Sequence, residues 1–279
     1  MYFQLVNNRR TYFKADRCYV PICHELKTIF LHIPKNAGES VEKALGMYGG
    51  PPTKTFWGVI NNRYVLQHFT ASQLRAHPMI ADIWDEYFKF AIIRNPWSKA
   101  VSEYNWYLRF GPIIPFYEWV NSLEGRLQLN SSIHVNEIGH NIEQYKFVYD
   151  EADHLIVDRL LCFENLNSDF GLLCSEKNWD VELVKAKTTA SNVSVPFYEY
   201  YDEISALKIS KIYSEDIERF GYSMDDTFSQ TRLRQTPVQL DEFFSKEDYL
   251  AANPDVKEAG VDAYEHYLNF GIREQRKLR

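Results

Sequence analysis

Apolar runs alternate with helical patterns along most of this chain. Thr28–Ile33 and Phe88–Arg94 are the clearest short runs, and Tyr64–Gln67 and His154–Phe163 are two further candidate strands. Continuous apolar runs bounded by turn residues fit strands covered on both faces. Helical patterns follow near Gly38, Ser72, Pro96, Glu137 and Asn165. This alternation predicts an α/β protein with a central, mainly parallel sheet and helices on both faces, a three-layer sandwich.

Chemistry gathers where the two clearest strands end. The first runs into the turn Pro34-Lys35-Asn36-Ala37-Gly38, after which a helix opens. Free backbone N–H groups and the positive end of the helix dipole make such a turn an anion site. Lys35 adds a mobile cation and Ser40 a hydroxyl donor. The turn is not a Walker A loop, because it lacks the longer glycine loop and the Gly-Lys-Ser/Thr ending. The other strand ends in Arg94-Asn95-Pro96. Asn95 suits a helix N-cap and Pro96 the first helical position. The helix should run through Trp97, Val101, Tyr104 and Leu108 and stop at Gly111-Pro112, carrying Ser102 eight residues after Arg94.

These motifs resemble those of sulfotransferases that use 3′-phosphoadenosine 5′-phosphosulfate (PAPS): the first their 5′-phosphosulfate loop, the Arg94–Ser102 pair their 3′-phosphate site. Three more segments fall in the family's order. They are Leu66-Gln67-His68-Phe69-Thr70, Cys162-Phe163-Glu164-Asn165-Leu166 with Asp169-Phe170, and Tyr198 through Tyr222. The resemblance covers about residues 25 to 222 and is best to the carbohydrate-type enzymes. It implies a P-loop-like fold and transfer of a sulfuryl group from PAPS to a hydroxyl of a carbohydrate or glycan, with no metal. It also implies that Lys35, Asn36, Ala37, Gly38, Glu39, Ser40, Arg94 and Ser102 bind the donor. The family usually has Thr where this chain has Asn36, and often Thr or Ser where it has Glu39.

Sulfuryl transfer needs in-line attack, removal of the acceptor proton and a cation on the leaving oxygen. Lys35 is the candidate cation and His68 the candidate general base, since imidazole titrates near pH 6.5. His68 also reads as a core or capping histidine ahead of the helix at Thr70–Leu74. Glu39, His134 and His140 are alternative bases, and His32 reads as structural. A nucleotide-binding protein or kinase of the same fold, and an inactive sulfotransferase-like scaffold, remain alternatives.

Composition narrows the field further. The 279 residues are 45% hydrophobic and 15% aromatic, enough for a sizeable core and against disorder. A formal charge of −7 argues against a non-specific nucleic-acid partner. No apolar run reaches the roughly 18 residues of a membrane span, and Met1–Arg10 lacks the apolar core of a signal peptide. The expected location is cytoplasmic, although a lumenal enzyme lacking its anchor reads the same way. Cys18, Cys23, Cys162 and Cys174 form no zinc pattern and read as idle thiols.

Residues 111–140 mix Trp119, Asn121, Gln128, Asn130, His134 and Asn136, which suits either an acceptor cleft for sugar rings or an ordinary helical surface. The expected domain plan is a sulfotransferase domain over 1–222, a polar linker over 223–239 and a small helical module over 240–279. In that module Ser245 and Asp262 should cap helices, with Gly260 and Gly271 ending two of them. It resembles modules appended to bacterial glycan-modifying proteins and is a candidate surface for a protein partner. Arg273, Arg276, Lys277 and Arg279 read as a solvated tail.

Overall fold

The computed structural model describes residues 22–47, 59–60, 64–65, 68–78, 80–109, 111–128, 139–183, 195–274 and 276–278. They belong to two compact units, Met1–Arg94 with Ser132–Lys185 and Asn95–Ser131 with Ala186–Arg279.

The first unit is built on a four-stranded sheet. Its β1 (Ile22–Cys23) pairs antiparallel with β2 (Thr28–Leu31), which leads to α1 (Gly38–Ala44). A separate antiparallel pair, β3 (Val59–Ile60) and β4 (Tyr64–Val65), precedes α2 (Ala71–Ala76) and β5 (Phe88–Ile93). The chain then contributes α3 (Pro96–Tyr107) and α4 (Phe116–Gln128) to the second unit. It returns with α5 (Tyr145–Val148), β6 (Arg159–Cys162) and α6 (Leu166–Lys177). Sheet order is β1-β2-β5-β6, with β2, β5 and β6 parallel.

Thr28 to Leu31 and Phe90 to Ile93 are buried without alternation, so both faces of the two central strands are covered. On one face Phe30, Phe90, Ile92 and Leu161 pack with Val41 and Leu45 and with Phe170, Leu173 and Cys174 of α6. The parallel sheet expected from sequence is present, but not with the expected members. Tyr64–Val65 is not one of its strands: β2 bonds directly to β5, and among the described residues β4 pairs with β3, Leu66 and Gln67 lying outside them. The last strand is shorter than His154–Phe163. The Asp150 carboxylate accepts the N–H groups of Ala152 and His154 at 3.0 and 2.9 Å in a turn, and Leu155 then bridges antiparallel to Tyr149 rather than joining β6. The helix start near Glu137 lies outside the described residues.

The second unit has an aromatic core. Asn95 caps α3 by accepting the N–H groups of Trp97 and Ser98, both at 3.1 Å, and Pro96 takes the first helical position. Trp97 and Tyr104 then bury against Phe116 and Trp119 of α4, with Tyr200, Tyr201, Tyr213 and Phe228. The helices α7 (Glu203–Ile212) and α8 (Ser214–Phe220) follow, and Gly221 ends α8 at φ 71°.

Residues 223–239 are packed rather than a linker. Ser223 caps α9 (Met224–Thr227), and Phe228 and Val238 are buried within this polar stretch. The C-terminal segment forms α10 (Lys246–Ala252), α11 (Pro254–Glu258) and α12 (Ala263–His266). A π-turn (Tyr267–Gly271) and α13 (Ile272–Glu274) follow. Ser245 and Asp262 cap α10 and α12, as their positions suggest. Gly271 does not end the helix; a Cβ there would come under 3.0 Å from the Tyr249 hydroxyl, so glycine permits a close approach instead.

Tyr249, Val256, Ala263 and Leu278 form a small cluster of their own. Ile272 nevertheless belongs to the large aromatic core, and Leu240, Phe243, Tyr267 and Leu268 pack on it. Residues 240–279 are therefore part of the second unit's core, not a free-standing module. A chain ending at Ser229 should lose apolar cover worth about 1.5–3 kcal/mol per large side chain, including the Phe243 ring 4.6 Å from Tyr200. The expected result is a lower unfolding temperature with increased binding of a hydrophobic dye. A truncated chain melting with the parent would show the segment to be separable.

Candidate active site

The parallel strands β2, β5 and β6 end on one edge of the sheet, where ligands of open α/β folds bind. β2 stops at Leu31 because the Ile33 N–H turns back to the Leu31 carbonyl at 3.1 Å, a three-residue turn centred on His32. The loop after it carries two left-handed non-glycine residues, Lys35 at φ 66° and Ala37 at φ 61°. Alternation of left-handed and ordinary residues turns successive N–H groups toward one side, the arrangement of an anion nest. Each such residue costs on the order of 1 kcal/mol, so the surroundings must impose it.

Asn36, Gln144 and Arg94 do so. The Asn36 amide is buried and donates to the Ile92 carbonyl at 2.6 Å and to Gln144 Oε1 at 2.7 Å. Gln144 is fully buried; its Oε1 accepts the Arg94 N–H at 2.9 Å and its Nε2 donates to the Arg94 carbonyl at 2.8 Å. Arg94 Nη1 donates to the Lys35 carbonyl at 2.8 Å, while its guanidinium lies 3.9 Å over the Phe163 ring that follows β6. The loop is thus tied to the ends of β5 and β6 at Lys35 and Asn36.

Ala37, Gly38, Glu39 and Ser40 follow this knot directly along the chain. Ala37 is the left-handed N-cap of α1, and Ser40, partly exposed, donates its N–H to Ala37 at 3.0 Å. Glu39 is exposed, with its carboxylate 3.7 Å from Lys43 one turn further along, so its charge has a cationic neighbour on α1 itself. Gly38 is buried, and a Cβ there would come under 3.0 Å from the His32 ring. Ser102 lies on α3 in the second unit and is partly exposed.

His68 is buried, and its Nδ1 is 2.9 Å from the His32 carbonyl. A carbonyl can only accept, so Nδ1 carries the proton and Nε2 is the basic nitrogen of the neutral ring. The His68 ring stands edge-on to His32 at 4.7 Å and to His140 at 5.2 Å. It does not cap α2. Thr70 does, accepting the Gln73 N–H at 3.2 Å while Gln73 accepts the Thr70 N–H at 2.9 Å. His32 is hydrogen-bonded through Nδ1 to the buried carboxylate of Glu42.

Of the proposed acceptor region, His134, Asn130 and Asn136 lie outside the described residues, as does the Gln128 side chain. Trp119 is buried in the core of the second unit, while Asn121 accepts from Lys208 on the ordinary surface of α4. Cys23, Cys162 and Cys174 are free thiols. Burial, then the Asp169 and Glu164 carboxylates, push the Cys162 thiol up, and burial raises Cys174. Both are poor nucleophiles at neutral pH. Among the described residues no His, Cys, Asp or Glu cluster is fit to hold a metal, and no helix is long and apolar enough to cross a membrane. Gln144, Glu42 and the stacking role of Phe163 escaped the sequence reading.

Fold and edge together define an α/β protein whose strand-end loop is shaped for an anion. The chain belongs to the sulfotransferase family, whose model matches residues 20–223. No curated protein and no solved structure matches it.

Proposed function

We propose that the protein moves the sulfuryl group of PAPS to a hydroxyl of a carbohydrate or glycan. The observation that carries this reading is the Arg94–Lys35 link, which ties a loop suited to a sulfate or phosphate group to the end of the neighbouring strand. The loop amides of 37–39, the Ser40 hydroxyl and Lys35 hold the 5′-phosphosulfate, and Lys35 offsets the charge that grows on the leaving phosphate oxygen. Arg94 takes the 3′-phosphate, with Ser102 assigned to it by motif spacing alone. His68 accepts the hydroxyl proton at Nε2 as the acceptor oxygen bonds to sulfur and adenosine 3′,5′-bisphosphate departs. The carbohydrate acceptor rests on the likeness of the motifs to the carbohydrate-type enzymes.

Calorimetric titration of adenosine 3′,5′-bisphosphate, adenosine 5′-phosphate and ATP with magnesium tests the donor site. The parent should prefer the bisphosphate, and Arg94→Ala should shrink that preference by roughly 10–100-fold, the worth of a charge-assisted contact. Equal parent affinity with and without the 3′-phosphate would remove Arg94 from this role, and preference for ATP with magnesium would point to a kinase. Transfer of label from [³⁵S]PAPS to a panel of hexose, hexosamine and uronic-acid oligosaccharides tests the reaction. Tight bisphosphate binding with no transfer to any of them would favour an inactive scaffold.

A further inference from the structure

Glu42 is fully buried on α1, two residues past Ser40, and no step of sulfuryl transfer calls for it. A buried carboxylate is costly unless something holds it, and one group that holds this one is His32 Nδ1. His32 does three things at once. Its ring occupies the space where a Cβ of Gly38 would stand, forming the wall against which the loop turns into α1. It is the centre of the three-residue turn that ends β2. That turn takes its carbonyl out of the strand ladder, and the carbonyl accepts from His68 Nδ1 at 2.9 Å.

We propose that Glu42 is a positioning residue for sulfuryl transfer, acting through His32 on both the donor loop and the base His68. The chain of contacts is short. The Glu42 carboxylate accepts the His32 Nδ1 proton and fixes the ring's rotation; the fixed ring backs Gly38. The same residue's carbonyl keeps the proton of His68 on Nδ1 and its lone pair on Nε2. Without the carboxylate, the His32 ring is released, the loop loses its wall, and the turn that presents the His32 carbonyl to His68 loses its side-chain anchor. The inference deepens the reading above and rests on it for the role of His68, but the tautomer is a property of the protein alone.

The first measurement is therefore made without substrate. In the ¹⁵N-histidine NMR spectrum of the parent, His68 should be the neutral form protonated at Nδ1, and His32 should carry a proton at Nδ1. A His68 protonated at Nε2 instead would overturn the proposal before any variant is made. Glu42→Met fills the volume but accepts no bond, whereas Glu42→Gln keeps an acceptor and drops the charge. In the methionine variant His68 should become a mixture of tautomers. Its kcat should fall by about 10–100-fold, the usual effect of removing such a supporting contact, and adenosine 3′,5′-bisphosphate should bind more weakly. Glutamine should restore the parent tautomer and most of kcat. A folded methionine variant with an unchanged His68 spectrum and kcat within threefold of the parent would sink the idea. A parent that transfers no label from PAPS would defeat the functional reading and leave the spectrum to decide this one.

Discussion

A Lys35→Ala enzyme is expected to transfer sulfuryl groups about 10²–10³-fold more slowly than the parent while still binding adenosine 3′,5′-bisphosphate. Removal of one group that stabilises charge in a transition state has about this effect. The geometry makes the substitution a clean one. The loop is held at this position through the Lys35 carbonyl, which accepts from Arg94 and survives the change of side chain. Alanine and lysine both carry a Cβ, so the left-handed backbone at φ 66° is strained equally in each. What is lost is the ammonium group with its methylene stem. A large fall in kcat with little change in nucleotide affinity places its contribution in the transition state. Transfer within tenfold of the parent would take Lys35 out of the leaving-group role.

Gly38→Ala should be the most damaging glycine-to-alanine change among the described residues of the first unit. Three atoms of the His32 ring lie under 3.0 Å from where the new Cβ would stand. The ring has little room to retreat, being buried and bonded to the fully buried Glu42. Overpacking of this kind costs about 1–3 kcal/mol, and breaking the Glu42 pairing instead costs about 3–5 kcal/mol. Urea unfolding should show a loss of at least about 1 kcal/mol, with weakened nucleotide binding by the folded fraction. Gly125→Ala is the control. It lies on α4 with nothing within 4 Å of the added carbon, and should be neutral or gain about 0.5–1 kcal/mol from helix propensity. Gly38→Ala unfolding together with that control would show that His32 does not pack as described.

Local signals explain what could be read in the sequence. Asn95 and Pro96 are side chains whose effect is complete within one helical turn, and the helix they start runs almost as its apolar spacing indicates. The runs Thr28–Leu31 and Phe88–Ile93 are buried on both faces, and continuous apolarity marks such strands directly. Tyr64–Val65 is as apolar, but pairing is decided by which strand lies alongside, and there it is Val59–Ile60. Asn36 was expected at the donor for its place in the loop; its amide nitrogen bonds inward, to Ile92 and Gln144. Gln144 and Glu42 carry no motif at all. Their importance comes from partners distant in sequence or hidden from solvent. The polar look of 223–239 similarly concealed Phe228 and Val238, because two buried side chains are enough to anchor a stretch that averages as hydrophilic.

The Asn36–Gln144 bond spans 108 positions of sequence, and that separation has a consequence for synthesis. While the ribosome has yet to release residue 144, the strand-end loop has neither its Gln144 contacts nor the Phe163 ring beneath Arg94. Its left-handed residues have fewer groups to hold them, and closing so long a chain segment is entropically slow. Nascent chains stalled ahead of that point should carry the lysine and arginine of the site yet show no selectivity for a bisphosphate nucleotide. Competence would arrive late and abruptly, when the segment around α5 and β6 docks onto strands already made.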